Sequence, residues 1–195
     1  MRLFIITFIS FTQLAFSQSF PVHKIDSSFY ADSCSLVIRD QINDYEEYIV
    51  YSKYGFWLQG PHFYFLGLKD GNWQAYRFII HNKTSVFRTH NVYKIRREKI
   101  QIQPAQVNEM LGFLTAQGFW ELQSDSLCQT ERKINDSITE MVSDGCTDQF
   151  FIYSNGKYYD MQVYMVDYYQ GVIPNQQKAT FILSRNKFLA LMHYK

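Results

Sequence analysis

The sequence predicts an α+β fold: an antiparallel sheet built from two or more β-hairpins, with two or three amphipathic helices packed on one face. Three observations carry this. Aromatic and β-branched runs flank Asp70-Gly71, and others flank Asn155-Gly156. Such dipeptides supply the positive φ that a tight hairpin turn requires. A stretch opened by Pro104 has its apolar residues at helical spacing and stops at Gly118, and Asn175 to His193 repeats a helical pattern. Hairpins imply antiparallel pairing, and helices with one apolar stripe must bury it against the sheet.

The chain divides as residues 1–17, a signal peptide; 18–33, an N-terminal leader; and 34–195, a single α+β domain. Arg2 forms a short positive region, Leu3 to Phe11 is apolar apart from Thr7 and Ser10, and Ala15 and Ser17 are the small residues that signal peptidase needs. Cleavage is expected between Ser17 and Gln18. The apolar run falls short of the roughly 20 residues that span a bilayer. No cysteine stands at the cleavage point to take a lipid. No later segment qualifies as a span, because Gln59-Gly60-Pro61-His62 interrupts the longest uncharged stretch. The expected destination is therefore the periplasm or the extracellular space.

Within the domain, Ile38, Ile42, Tyr45 and Ile49 fit one helical face ended by Gly55, while Tyr48 to Tyr54 reads equally as a strand. His62 to Leu68 and Trp73 to His81 form the first hairpin, and Thr84 to Thr89 continues as a third strand. Val92 to Ile102 is extended but carries Lys94, Arg96, Arg97, Glu98 and Lys99, the pattern of a defended sheet edge. The Pro104 helix buries Val107, Met110, Leu111 and Leu114, with Phe119-Trp120 anchoring its end. Glu121 to Asp148 is a long polar stretch, extended in part over Ile134 to Val142. Gln149 to Tyr153 and Lys157 to Met165 make the second hairpin. In the closing helix Phe181, Ile182, Phe188, Leu189 and Met192 form the buried stripe, and Arg185 and Lys187 point to solvent.

Composition narrows the function classes. Without Arg2, the 19 basic residues fall to 18 against 18 acidic ones, a neutral balance that offers no general attraction to nucleic acid or anionic membrane. Fifteen Tyr and 17 Phe argue against disorder. Three cysteines, Cys34, Cys128 and Cys146, leave the pairing open: a Cys128–Cys146 disulfide worth about 3 kcal/mol, a bridge from Cys34 to either of the others, or three reduced thiols.

Motifs for catalysis are sparse. His23, His62, His81, His90 and His193 lack metal-ligand spacing, and the acidic stretch lacks the order of a calcium loop, so no metal or cofactor is expected. Ser184-Arg185-Asn186-Lys187 matches S-x-x-K, and Ser143-Asp144-Gly145 echoes S-D-N, but their order along the chain is wrong and K-T-G is absent. Carboxylates between Glu121 and Asp148 support the alternative of a small secreted hydrolase, which would need two of them facing across a cleft. The aromatic surplus favours a non-catalytic binding or interaction domain of the cell envelope. Trp57, Tyr64, Trp73, Tyr76, Tyr158 and Tyr164 are the candidate binding residues, because Tyr and Trp join a rigid apolar face to a polar handle. Partners of that chemistry are proteins, peptides or glycans. The competing explanation is a Tyr-rich sheet whose hydroxyls simply reach water. Leu66 to Tyr76 resembles a single unit of the MORN-type hairpin repeats, with no neighbouring copy at the period of an array.

Overall fold

A computed structural model describes residues 20, 38, 40–55, 62–83, 92–123, 127, 132–135, 138–140 and 145–193. Its centre is a six-stranded sheet ordered β4-β3-β2-β1-β7-β8, with every neighbouring pair antiparallel. The strands are β1 (Glu47–Gly55), β2 (His62–Lys69), β3 (Asn72–Lys83), β4 (Val92–Ile100), β7 (Cys146–Ser154) and β8 (Lys157–Tyr164). A separate ribbon pairs β5 (Arg132–Asn135) with β6 (Ile138–Glu140), within the stretch read as partly extended. Among the described residues three helices have stated bounds and follow the expected α+β plan: α1 (Pro104–Ala116), α2 (Val166–Val172) and α3 (Gln176–His193).

The turns form as their chemistry dictates. Asp70 and Gly71 take φ of 50° and 70°, and Asn155 and Gly156 take 52° and 76°, so both hairpins close through two left-handed residues. Pro104 opens α1, where the Gln103 amide donates to Gln106 Oε1 at 3.0 Å. Gly118, at φ 73°, ends it and leads into a 3-10 turn at Phe119–Glu121. There Trp120 Nε1 donates back to Thr115 Oγ1 at 2.9 Å, fastening the turn to the helix.

Strand alternation sorts the apolar residues into two cores, one on each face of the sheet. On the first face Ile49, Tyr51, Leu66, Ala75, Phe150, Ile152, Met161 and Val163 share one buried cluster with side chains of α1 and α3. Phe181 and Phe188 of α3 lie edge-on to Phe150, at centroid distances of 5.4 and 5.6 Å. The second core gathers Tyr48, Val50, Phe63, Phe65, Phe78, Ile80 and Phe151, with Ile38, Ile42 and Tyr45 packed against them.

Four features depart from the sequence expectation, the last of them the burial of Phe20. The helix read along Ile38, Ile42, Tyr45 and Ile49 does not run through that stripe: Ile38 is helical, but the helix does not continue past residue 40. Residues 40–44 are turns and β1 begins at Glu47, so the strand alternative holds. The spacing of Ile38, Ile42 and Tyr45 did mark buried residues, but β1 pairs on both sides, and two ladders outweigh local helical spacing. Helix α2 was not anticipated, and Met165, placed in sequence as the last residue of a strand face, turns the chain into it at φ 46°. Arg185, expected in solvent, is buried for an electrostatic reason given below. The expected strand at 84–89 lies outside the described residues, as do residues 1–17 and Cys34 and Cys128.

Phe20 falls in the segment read as a polar leader, yet it is 2% exposed. Its ring stacks on Trp120 at 5.4 Å and lies 5.8 Å from Trp73, and its amide donates to Glu47 Oε2 at 3.1 Å. Glu47 also accepts from Ser154 Oγ at 2.8 Å, and burial raises its carboxyl above the ordinary range. Phe20→Ala is expected to cost about 3–5 kcal/mol, read as a lower urea midpoint. Gly67→Ala should cost about 1–3 kcal/mol, because its Cβ would overlap the Phe65 and Tyr45 rings. An unchanged midpoint for either variant would refute that packing.

Candidate functional site

Among the described residues a shallow, open polar groove of about 360 Å³ lies on the second face, lined by Asp40, Gln41, Asn43, Asp44, Tyr45, Lys69, Gln74 and Arg97. Three elements build it. The turn at 40–44 supplies one wall, held down by Ile42 and Tyr45, which are buried in the second core. The β2–β3 hairpin supplies Lys69 and Gln74, and edge strand β4 supplies Arg97. Arg97 pairs in register with Phe78, so it rises from the same face as Tyr76 and Phe78.

The polar groups are locked together. Arg97 lays its guanidinium over the Tyr76 ring at 3.6 Å and donates from Nη2 to the Tyr45 hydroxyl at 3.0 Å. Tyr45 and Tyr76 both donate to Gln74 Oε1, at 3.0 and 2.8 Å. Burial pushes the Tyr45 hydroxyl up to about 12, the neighbouring Tyr76 adds to the rise, and Arg97 opposes it. Tyr45 therefore stays a neutral donor at any physiological pH. Opposite, Lys69 bonds Asp44 and holds its carboxyl below the usual range. Pre-positioned donors and acceptors in a concave surface are what a polar ligand needs, whereas most small-molecule pockets are lined chiefly by apolar groups.

A second charged cluster lies on the first face. Asp148 is 1% exposed, receives a hydrogen bond from the Tyr51 hydroxyl, and lies 3.4 Å from Arg185 Nη1. Arg185, 8% exposed, forms a two-pronged pair with Asp167 of α2, both bonds at 2.8 Å. Lys53 Nζ stands 3.9 Å from Asp148 Oδ2. A buried carboxylate needs a cation, and that need draws Arg185 out of solvent. Asp167 and Asp148 hold the Arg185 guanidinium protonated, and burial with the nearby Asp148 raises the Tyr51 hydroxyl. The cluster ties β1, β7, α2 and α3 together.

The six predicted binding residues do not share one surface. Tyr64 and Trp73 lie on the first face, where Tyr64 meets His193 at 5.0 Å and Trp73 meets Phe20. Tyr76 and Tyr158 pack against the second core, and Tyr164 alternates onto the same side as Tyr158, its hydroxyl accepting from the Gly145 amide at 2.7 Å. Trp57 lies outside the described residues. Of the five that are described, Tyr76 alone bears on the groove, its ring lying beneath the groove-lining Arg97. Of the carboxylates considered for hydrolysis, Glu121 is exposed and Asp148 is engaged by Tyr51 and Arg185, while those at positions 125, 131, 136, 140 and 144 have no described side chain. Cys146 is a free, half-buried thiol, so the structure shows no bridge there. Among the described residues no group of three or more His, Cys, Asp or Glu side chains is arranged to hold a metal, and no helix is long and apolar enough to cross a membrane.

Sequence reasoning missed Tyr45, Gln74 and Arg97 as a unit. The available signal was two-residue alternation, which puts Gln74, Tyr76 and Phe78 on one face of β3; the strand register was needed to add Arg97. No family model matches the chain, and no curated protein matches it.

Arg185→Leu is expected to destabilise by about 3 kcal/mol, because the buried Asp148 would keep only the half-exposed Lys53, 3.9 Å away, as a cation. Asp167, with a side chain 57% exposed, should matter less, and Asp167→Asn should cost under about 1 kcal/mol. Arg185 lowers the Asp167 carboxyl below its ordinary 3.8. That contribution is thus present above the unfolded value and lost as pH falls through the lower folded one. Urea unfolding at pH 7 and pH 3 checks both, and a larger loss in Asp167→Asn than in Arg185→Leu would contradict the ranking.

Proposed function

We propose that this chain is an exported, non-catalytic binding domain of the cell envelope, with the groove at Tyr45, Gln74 and Arg97, backed by Tyr76, as its ligand site. The observation that carries this reading is Arg97, stacked on Tyr76 and tied to Tyr45 beside open polar space. A side chain held on two sides has already lost much of its rotamer freedom, so less ordering remains to be paid for at binding. The groove's charged and amide lining suits a polar peptide or glycan better than an apolar ligand. Export rests on the N-terminal signal pattern and the expected cleavage before Gln18. It would place Cys34, Cys128 and Cys146 in an oxidising compartment, the periplasm or the extracellular space, where a disulfide could form.

Export and binding are tested separately. N-terminal sequencing of the protein recovered outside the cytoplasm should begin at Gln18, and an intact Met1 would end the export reading. For the site, the mature chain is titrated with soluble peptidoglycan fragments carrying both glycan and peptide, and amide chemical shifts are followed. Shifts should concentrate at residues 40–45, Lys69, Gln74 and Arg97, and Tyr76→Ala should weaken binding about tenfold, the loss of one cation–π platform and one hydrogen bond. Saturable shifts confined to another surface would displace the site.

A further inference from the structure

The distribution of charge around the groove identifies the class of ligand. Arg97 uses one face on Tyr76 and one N–H on Tyr45, and among the described residues no carboxylate forms an ion pair with it. Its remaining N–H groups form a planar fork, the geometry that grips a carboxylate through two parallel bonds. Gln74 spends Oε1 on the two tyrosine hydroxyls, while its Nε2 has no partner among the described residues, which adds a neutral donor to the same wall. Across the groove the balance reverses. Asp44 is committed to Lys69, but Asp40 is exposed and has no ion-pair or hydrogen-bond partner among the described residues. Among the described residues, one wall thus offers a cation and the other an anion that no ion pair engages.

We propose that the groove binds a small zwitterion of the amino-acid or short-peptide class, its carboxylate on Arg97 and its ammonium on Asp40. This deepens the binding reading above and rests on it. Three considerations favour a zwitterion. A volume of about 360 Å³ lies at the small end of ligand pockets, which suits a molecule of one or two residues. A polyanion would meet Asp40 and Asp44, and a polycation would meet Arg97 and Lys69, so each is opposed by half of the charged lining. A neutral saccharide would satisfy the hydrogen-bonding groups and leave both charges without a counterpart. The two tyrosine hydroxyls cannot substitute for either charge, because both are already turned toward Gln74.

The test uses the mature chain and four probes: alanyl-alanine, its N-acetyl form, its C-terminal amide, and a neutral N-acetylglucosamine tetrasaccharide. Calorimetry gives the affinities, and amide shifts locate each probe. Alanyl-alanine should saturate the groove, and capping either end should weaken binding about tenfold or more, the scale of a lost charged contact. Arg97→Gln should abolish the penalty for the C-terminal amide and leave that for N-acetylation. Asp40→Asn, on an exposed turn where folding is not at stake, should do the reverse. Equal affinity for the capped and uncapped peptides would overturn the zwitterion assignment while leaving the groove as the site. Tetrasaccharide shifts in the groove without dipeptide shifts would do the same. Silence from all four probes would overturn the assignment as well, and the peptidoglycan-fragment map then judges the groove by itself.

Discussion

The pairing of β1 with β7 is the constraint on which the rest of the structure depends. Every other neighbouring pair in the sheet joins strands consecutive in sequence, whereas this ladder brings Tyr48 to Tyr153 and Tyr54 to Thr147 across most of the domain. Without it there would be a four-stranded meander and a separate hairpin, each with a bare edge. Phe150 holds the join. Its ring lies 5.1 Å from Tyr51 on the partner strand, 5.1 Å from Phe119 at the end of α1, and 5.4 and 5.6 Å from Phe181 and Phe188 of α3. One side chain thereby links the long-range ladder to both long helices, and the entropy lost in closing so large a loop is offset by burial concentrated at that point.

The same ladder forces a charge indoors. Asp148 lies two residues before Phe150 on the same face, and beside β1 it must be buried. Arg185 answers it from α3, one turn from both Phe181 and Phe188, so the helix face that packs the core also delivers the counter-charge. Arg185 then reaches Asp167 and fixes α2, which the left-handed Met165 has set off at an angle to β8. A buried pair of this kind adds little net stability over apolar packing, but it penalises any arrangement in which the two charges fail to meet. Here the pair joins α3 to β7 and, through Asp167, to α2.

Most of the fold was legible because its signals are local. Asp70-Gly71 and Asn155-Gly156 specify hairpins by backbone sterics alone, and Pro104 with Gly118 brackets a helix without reference to anything distant. What escaped was non-local. The stripe of Ile38, Ile42 and Tyr45 correctly identified buried residues but implied a helix, since spacing cannot reveal that a strand finds neighbours on both sides. Arg185 looked like a solvent residue because its reason for burial lies 37 positions away at Asp148. Phe20 sat in a segment too polar to suggest a core contact, and only the Trp73–Trp120 seat explains it. The groove was legible in one residue, Tyr76, whose partners come from a turn and an edge strand that sequence treats separately.

The aromatic content acquires a structural account through the two cores. A sheet covered on one face has one apolar side, whereas this sheet buries aromatics on both, with Tyr48, Phe65, Phe78 and Phe151 opposite Tyr51, Phe150 and the helices. Tyr45 is where the second core becomes the groove. Its ring packs edge-on against Phe65 at 4.7 Å, while its hydroxyl reaches Gln74 and receives Arg97. The position of Arg97 is therefore set from inside the protein as well as by its own strand. A tyrosine suits that position because its rigid ring transmits the packing of Phe65 to a polar atom at the surface. Phenylalanine there would preserve the core and release the guanidinium, which separates the stability of the second face from the order of the groove it supports.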